Sequence, residues 1–278
     1  MMRARGFKSI LLVLLFVAAG WLLLRAAWLE PSSLRVSAYT VEQVPPALKG
    51  LRIAVISDLH AGAPYIDTAK IDRVVAMTNA ARPDLILLTG DYVITGIVGG
   101  RFMPVRTIVS HLKALHAPLG VYAVLGNHDR GRDPQGIGRA FWNSGIPDLE
   151  NAHVMLPAPR QNIALVGIGD HASGGARPKR ALIGVQPPAL CFTHSPDIFP
   201  RVPPTCALTI AGHTHGGQVK LPLLGRPAML EASHFGEKYA AGIVREDGKT
   251  LFVSTGIGTS WVPFRFGVPP EISLLTLE

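Results

Sequence analysis

Five short polar motifs, each directly after an apolar, strand-like run, constrain this chain of 278 residues more than any other feature. In chain order they are Asp58-Leu59-His60, Gly90-Asp91, Gly126-Asn127-His128-Asp129, His194 and Gly212-His213-Thr214-His215. In open α/β sheets, ligands gather where strands end and loops begin. We therefore expect the motifs to meet at one edge of a sheet. There they would offer oxygen and imidazole nitrogen ligands, without sulfur, in a number sufficient for two metal ions.

Along the chain, segments with the apolar pattern of a strand alternate with segments that have the apolar pattern of a helix. Short apolar runs rich in β-branched residues predict strands at residues 51–56, 85–89 and 121–125. Helical patterns separate them at 66–81, 105–115 and 137–143, and the first places Ile71, Val74, Val75 and Thr78 on one stripe. This alternation favours a largely parallel sheet in the first half of the chain.

The second half is richer in strands. We predict strands at 163–168, 189–193, 207–211 and 218–221, a hairpin around Asp247-Gly248 and a final strand at 272–277. The resulting fold class is α/β with two sheets. The chain divides into an anchor and flank at 1–36, a linker and first strand at 37–50, and one domain at 51–278.

The amino terminus has the composition of a membrane-spanning helix. Three basic residues, Arg3, Arg5 and Lys8, precede fifteen uncharged residues at 10–24, and the apolar stretch resumes after Arg25. The favoured interpretation is one uncleaved transmembrane anchor, with Arg25 snorkelling to the headgroups. A signal peptide cleaved at Val36-Ser37-Ala38 and a peripheral helix lying on the membrane are the alternatives. A small positive-inside bias puts the body on the extracytoplasmic side, and the cytoplasmic side stays open.

The net charge of +8 does not indicate a nucleic-acid groove. Residues 1–36 carry five basic side chains and one acidic side chain, which is half of the excess. The other 22 basic and 18 acidic residues leave +4 on the body, and no Lys/Arg block is interleaved with aromatics. No nucleic-acid partner is expected.

The two cysteines, Cys191 and Cys206, both lie in apolar runs. The favoured interpretation is a pair of buried thiols that pack as small hydrophobic side chains. A single bridge between neighbouring strands is the alternative. Neither spacing nor neighbours indicate a thiolate metal site.

The set of five motifs resembles that of the calcineurin-like metallophosphoesterase superfamily over residues 51–277. The resemblance implies a two-sheet β-sandwich flanked by helices. It also implies that Asp58, His60, Asp91 and His215 bind one metal. Asp91, Asn127, His194 and His213 would bind the other, so that Asp91 bridges the pair.

Ligands restricted to nitrogen and oxygen suit Mn, Fe, Zn or Co. Two divalent cations and two aspartates leave the site near +2, which attracts a phosphate ester and stabilises the charge that develops on its oxygens. A metal-activated hydroxide would then attack the phosphorus. His128 would protonate the leaving oxygen or stabilise the transition state, and a purely structural histidine is the alternative.

Four further residues are candidates for supporting roles. Asp129 could orient His128, and Asp170 and His171 follow a strand and could reach the substrate. Arg265 could bind a phosphate, and an ordinary surface or packing arginine is the alternative.

The anchor and Gly216-Gly217-Gln218 resemble the bacterial membrane-anchored branch of the superfamily. That branch contains phosphodiesterases and UDP-2,3-diacylglucosamine pyrophosphatases of lipid A biosynthesis, so a phosphate-ester substrate in or near the membrane is implied. The glycolipid is made on the cytoplasmic side, opposite to the side that the charge bias favours.

Asp129 stands where protein phosphatases of the superfamily have glutamate, and the arginine with which they bind phosphate is missing here. A protein-phosphatase role is therefore disfavoured. A non-catalytic metal- or phosphate-binding scaffold and a nuclease remain as alternatives.

Overall fold

The fold is described from a computed structural model that covers the chain except Met1, residues 157–162 and Ala228. For residues 2–8, Leu230 and Glu231 only the backbone is described. Two mixed β-sheets stack face to face and helices flank them, which is the predicted two-sheet arrangement.

The first sheet has five strands in the order β1-β11-β2-β3-β4. All its neighbouring strands run parallel except β11 and β2, which are antiparallel. The strands are β1 Arg35–Val41, β2 Arg52–Ile56, β3 Leu85–Leu88, β4 Val121–Ala123 and β11 Glu271–Leu277.

The second sheet has six strands in the order β5-β6-β7-β8-β10-β9. The inner pairs are parallel, whereas the pairs at the two edges are antiparallel. The strands are β5 Ala152–Leu156, β6 Ile163–Gly167, β7 Ala189–Phe192, β8 Cys206–Ala211, β9 Gly242–Glu246 and β10 Lys249–Val253. The predicted hairpin at Asp247-Gly248 is confirmed as the β9–β10 connection.

The helices include the predicted crossovers of the first half. A long amino-terminal helix runs through α1 Met2–Leu24, a π-helical turn Arg25–Leu29 and α2 Glu30–Ser32. The others are α3 Thr68–Ala80, α4 Val105–Leu112, α5 Asn127–Arg130, α6 Pro134–Asn143, α7 Pro178–Ala181 and α8 Met229–Ala232. Short 3₁₀ turns form at Pro196–Arg201, His215–Gly217 and Gly236–Tyr239.

The inner strands β2, β3 and β11 of the first sheet are buried on both faces, which explains the continuous apolar runs of β2 and β3. In β2, Ile53 and Val55 point into the core between the sheets, while Ala54 and Ile56 face the core under α3 and α4. Successive side chains of this one strand therefore pack into two different hydrophobic cores. The predicted stripe on α3 is confirmed, since Ile71, Val74, Val75 and Thr78 are all buried there.

One predicted strand is absent from the described residues, and one observed strand was not predicted. Residues 218–221 form only isolated bridges, from Val219 to Phe266 and from Leu221 to Gly225, because Gly216, Gly217 and Gln218 adopt positive φ and break the run. The sequence also did not indicate β5, an edge strand whose side chains are mostly half-buried or exposed.

The favoured interpretation of the cysteines was also wrong. Cys191 in β7 and Cys206 in β8 form a disulfide across neighbouring parallel strands, with 5.6 Å between their Cα atoms. This distance lies within the range that a disulfide requires. Sequence alone could not give the register that brings the two residues together.

The amino-terminal helix includes a stretch, Ser9–Ser32, that is long and apolar enough to cross a membrane. Its large apolar side chains from Ile10 to Leu24 are exposed, so the domain does not bury them. Val36, Ser37 and Ala38 lie within β1, paired with β11. Cleavage after Ala38 would remove four of the seven residues of that strand, which argues against a signal-peptide cleavage there.

Candidate metal centre

The predicted ligands converge where strands of the two sheets end. Motifs after β2, β3 and β4 of the first sheet meet those after β7 and β8 of the second sheet. Three overlapping groups of His and Asp atoms, each within 4.8 Å of one another, could hold metal ions. They are Asp58, His60 and His215; His60, Asp91 and His128; and Asp91, His194 and His213.

Asp91 stands at the junction of these groups. Its Oδ1 accepts a hydrogen bond from His128 N at 2.8 Å, which fixes the carboxylate at the first turn of α5. Its Oδ2 lies 3.6 Å from His60 Nε2 and 3.3 Å from His194 Nε2. One free carboxylate oxygen thus faces histidines from both sheets, as a bridging ligand must.

The group on one side of Asp91 contains Asp58, His60 and His215. His215 Nε2 lies 3.1 Å from His60 Nε2 and 3.5 Å from Asp58 Oδ1. Asp58 is held by donors behind it, because Ser57 Oγ and His213 N both donate to its carboxylate. Sequence reasoning did not identify Ser57, although it directly precedes the first motif.

The group on the other side contains His194, His213 and Asn127. His194 Nε2 lies 3.1 Å from both Asn127 Oδ1 and His213 Nδ1. The other ring nitrogen of His194 donates to Thr89 O at 2.8 Å. This bond orients the ring and leaves Nε2 facing the cleft, which is the usual arrangement behind a metal-binding histidine.

The protonation of these histidines suits metal binding. Burial lowers the pKa of His60 to about 3 and that of His213 to about 4, and it drives the pKa of His215 well below its usual value. Their rings are therefore neutral near pH 7 and keep a lone pair for a cation. Burial also opposes charge on His194, but Asp91, Asp58 and Asp170 together outweigh the effect of burial and raise the pKa of His194 well above its usual value. A bound cation would replace that proton.

Asp91 itself is held in the anionic form. Burial alone would raise its pKa, but His194, His60 and His128 hold it well below the usual range. The fully buried His60 Nδ1 has no hydrogen-bond partner among the described residues. A buried carboxylate oxygen that faces imidazole nitrogens from two sheets suits a divalent cation, because carboxylate oxygen and imidazole nitrogen are both common metal ligands.

His128 lies at the open side of this cluster. Its Nε2 is 3.9 Å from Asp91 Oδ2, its ring meets that of His60 edge-on, and the side chain is 14% exposed. Thr95 Oγ1 is hydrogen-bonded to its Nδ1. His128 is thus oriented by a hydroxyl group that sequence reasoning missed, since a lone threonine in a loop carries no signal.

The prediction that Asp129 orients His128 was wrong. The carboxylate of Asp129 is fully buried and accepts backbone N–H bonds at 2.7–3.1 Å. The four donors are Asp91, Tyr92, Val93 and Gly126. Burial and the charge of Asp91 raise the pKa of Asp129 to about 7. Asp129 therefore ties the loop that carries Asp91 to the loop that carries Asn127.

Arg265 is not available to grip a phosphate. It is fully buried, and its guanidinium donates to the backbone carbonyls of Gly258, Val268 and Thr255. Its Nη2 also lies 3.4 Å from His215 Nδ1. Burial lowers its pKa to about 10, so it stays cationic at neutral pH. Arg265 thus stands behind His215 and closes the loop between residues 255 and 268.

Asp170 and His171 occupy different surroundings. Asp170 is fully buried, and its carboxylate accepts bonds from Ala172 N and from the amide and hydroxyl of Ser173, which closes its own turn. Asp170 is therefore not free to contact a substrate. His171 lines a smaller cavity of about 190 Å³ that borders the main cleft at His213.

The main cleft has a volume of about 470 Å³. Its floor contains Asp91, Asn127, His128 and His213. Its other lining residues include Gln218, Ala232, Ser260, Trp261 and Val262, none of which belongs to the five motifs. The cleft is thus large enough for a phosphate and part of the group that carries it.

The backbone at the ligands is itself unusual. Five of the seven predicted ligands are non-glycine residues with φ between 44° and 72°, in the left-handed region that such residues seldom adopt. They are Asp58, His60, Asp91, His213 and His215. Such local strain clusters at functional sites.

Space, rather than turn geometry, explains two glycines of the motifs. A Cβ at Gly126 would collide with the carboxylate of Asp91, and one at Gly212 would collide with Ser57 Oγ. Gly90 has φ of +100° and also abuts Gly126 and His194.

Comparison with known proteins agrees with this geometry. The profile of the calcineurin-like phosphoesterase family matches residues 51–217. The phosphodiesterase YaeI of Escherichia coli is 32% identical, with 81% of this chain and 82% of that protein covered. The UDP-2,3-diacylglucosamine pyrophosphatase LpxG of Chlamydia trachomatis is 29% identical over 89% of this chain and 90% of its own length. A zebrafish (Danio rerio) transmembrane protein with a metallophosphoesterase domain is 27% identical over 98% of this chain and 63% of its own length.

The matched region contains all five motifs, and the 32% identity to YaeI extends beyond the region that the profile matches. The fold, the convergence of the motifs and these similarities agree with one another. The chain therefore belongs to the calcineurin-like phosphoesterase family of hydrolases.

Proposed function

We propose that this protein is a dinuclear metal-dependent phosphoesterase that hydrolyses a phosphodiester or pyrophosphate bond. The observation that carries the proposal is the position of Asp91 Oδ2, within 3.6 Å of histidine nitrogens from both ligand groups. One metal would be held by Asp58, His60, Asp91 and His215. The second would be held by Asp91, Asn127, His194 and His213.

Two divalent cations, when bound, would activate water near neutral pH and polarise the phosphoryl oxygens. The chain contributes orientation and proton transfer. His194 is fixed through Thr89 O, and Asp58 is fixed through Ser57 and His213, so the ligands are positioned before any ion enters. His128, at the open side of the cluster, is placed to give a proton to the leaving oxygen.

The substrate that we propose is a membrane-associated phosphate ester. Three observations support this choice: the apolar helix Ser9–Ser32, the membrane label of the zebrafish relative and the glycolipid named for LpxG. A UDP-2,3-diacylglucosamine-type glycolipid is one candidate of this class. We propose residues 1–36 as the anchor and flank, 37–50 as linker and first strand, and 51–278 as the catalytic domain. We place the domain on the extracytoplasmic side on the basis of the charge bias.

The test is hydrolysis of bis(p-nitrophenyl) phosphate by the purified full-length chain. Chelation should abolish turnover, and one of Mn, Fe, Co or Zn should restore it. If the chain stays inactive with each of these metals while binding them, the enzymatic proposal fails and a non-catalytic metal-binding protein takes its place.

A further inference from the structure

The carboxyl-terminal turns of the amino-terminal helix are fixed to the rim of the metal cleft. Arg265 N donates to Ala26 O at 2.9 Å, and Val268 N donates to Glu30 Oε1 at 2.6 Å. From the opposite side, Tyr65 Oη donates to Ala27 O at 2.6 Å. The helix therefore leaves the domain beside the cleft and is not separated from it by a free linker.

The length of the uncharged part of the helix determines how close the domain must lie to the bilayer. Residues 9–24 comprise sixteen residues without charge, or roughly 24 Å of helix at about 1.5 Å per residue. The hydrocarbon layer is about 30 Å thick. If the helix crosses the bilayer, residues 25–29 must therefore lie at the membrane boundary. Within that segment Arg25, Ala26 and Ala27 contact the domain.

The side chains of this boundary segment suit that position. Arg25 is paired with Glu30 of the same helix at 3.2 Å and lies over the Phe266 ring of the domain at 4.8 Å, so its charge is compensated. Trp28 is 60% exposed, and tryptophan favours the membrane interface.

The loop that holds the helix, and two segments bonded to that loop, expose apolar side chains. We call this set the apolar lip: Val98, Leu223, Leu224, Trp261, Val262 and Phe264, all of them exposed. Trp261 and Val262 also line the metal cleft.

Backbone bonds join the segments of the apolar lip. Val98 N donates to Trp261 O at 3.0 Å. Lys220 N donates to Phe266 O at 2.7 Å, which ties the turn that carries Leu223 and Leu224 to the loop of Trp261. Large exposed apolar side chains on segments that are bonded to one another are typical of an interaction surface.

We propose that the apolar lip inserts into the surface of the bilayer that the amino-terminal helix enters, so that the metal cleft opens at the lipid surface. The occupant of the lip is lipid acyl chain, because the helix and the lip share the 256–268 loop and the helix length leaves no gap between domain and membrane. Docking does not depend on catalysis. The proposed lipid-linked phosphate ester would reach the cleft without leaving the membrane, and only this consequence rests on the proposed function.

The test uses the full-length chain in vesicles of phosphatidylethanolamine and phosphatidylglycerol with brominated acyl chains, which quench nearby tryptophan fluorescence. Trp21 and Trp28 are replaced by phenylalanine. One variant then adds Trp142→Phe and reports on Trp261, and the other adds Trp261→Phe and reports on Trp142. Trp142 is the matched control, because it is 66% exposed but belongs to α6 and not to the apolar lip.

We expect bromine to quench Trp261 several-fold more than Trp142. In the Trp261 reporter, the additional change Leu223→Ser with Leu224→Ser should reduce the quenching, whereas Ile183→Ser, at an exposed position outside the lip, should not. Quenching of Trp261 no greater than that of Trp142 would overturn the proposal. Turnover of bis(p-nitrophenyl) phosphate on the same vesicles is recorded separately, so a failure of docking and a failure of the phosphoesterase function are distinguishable.

Discussion

The edge of the sandwich that carries the ligands and the core between the sheets contain equally buried side chains, but of opposite chemistry. The core side chains, such as Ile53, Leu165 and Phe192, are apolar and lie on regular strands. At the ligand edge, Asp58, His60 and Asp91 are just as buried, and all three adopt left-handed backbone conformations. The core contributes stability through apolar burial, whereas the ligand edge concentrates charge and strain that a cation would relieve.

This contrast implies that substitutions at the ligand edge should affect activity and metal content more than folding. Substitutions away from it should affect folding more than activity. The following predictions test that division, beginning with the largest expected effect.

Asp91→Asn should produce the largest loss. The amide keeps the oxygen that accepts from His128 N but removes the charge shared by the two ligand groups. Turnover of bis(p-nitrophenyl) phosphate should fall by about 10³-fold or more, since metal ions contribute several kcal/mol to such barriers and each factor of ten is about 1.4 kcal/mol. The amount of bound metal should fall too, while the melting temperature of the metal-free protein stays near that of wild type.

Asp72→Asn, at an exposed carboxylate on α3, is the matched control. Full metal content in Asp91→Asn would contradict the bridging role.

His128→Asn should separate proton transfer from metal binding. We expect kcat to fall by roughly 10²–10³-fold, the usual contribution of a positioned general acid, with metal content unchanged. Metal analysis and steady-state kinetics check both quantities. His111→Asn removes a partly exposed histidine of α4 that is paired with Asp72 and should change neither. Equal losses of metal and turnover in His128→Asn would make His128 a structural residue.

Replacing both cysteines should affect stability alone. The disulfide closes a loop with a sequence separation of 15 residues. Cys191→Ala with Cys206→Ala should lower the free energy of unfolding by about 3 kcal/mol in a urea titration under oxidising conditions. Metal content and kcat of the folded protein should match wild type. A loss of metal would mean that β7 and β8 need the cross-link to place His194 and His213.

Asp148→Asn should have the smallest effect, and it should raise the stability of the fold whereas the loss of the disulfide lowers it. Burial and the nearby Glu150 raise the pKa of Asp148 to about 6. The folded state therefore binds more protons than the unfolded state between about pH 4 and pH 6, and stability falls as the pH rises through that window. Asp148 is mostly buried, and after allowance for solvent screening the variant should be about 1 kcal/mol more stable than wild type at pH 7.5. The difference should vanish near pH 4 in thermal melts, and a variant less stable than wild type at pH 7.5 would contradict this account.

The sequence predicted the inner strands and the convergence of the motifs because both follow from simple patterns. Strands β2 and β3 read as continuous apolar runs because both of their faces are buried, and parallel strands bring Asp58 and Asp91 to one edge. The positions of the side chains that support the ligands were not predictable in this way. Thr95, Ser57 and the carbonyl of Thr89 matter because of where the loops fold back, which no local period encodes.

Misassignments have similar causes. Asp129 follows His128 in the chain, yet helix α5 turns its carboxylate towards the amides of Asp91, Tyr92 and Val93. Arg265 is one of the largest fully buried side chains, although an arginine in a glycine-containing loop is more often exposed. Both side chains bond mainly to backbone groups, and the sequence does not show which backbone groups a side chain will reach.

Anomalous diffraction from crystals of the manganese-loaded protein tests the central claim most directly. The account predicts two peaks about 3.5–4 Å apart on either side of Asp91 Oδ2. One peak should be bounded by Asp58, His60 and His215, and the other by Asn127, His194 and His213. A cleft without peaks at saturating manganese, or a single peak that Asp91 does not contact, would contradict it.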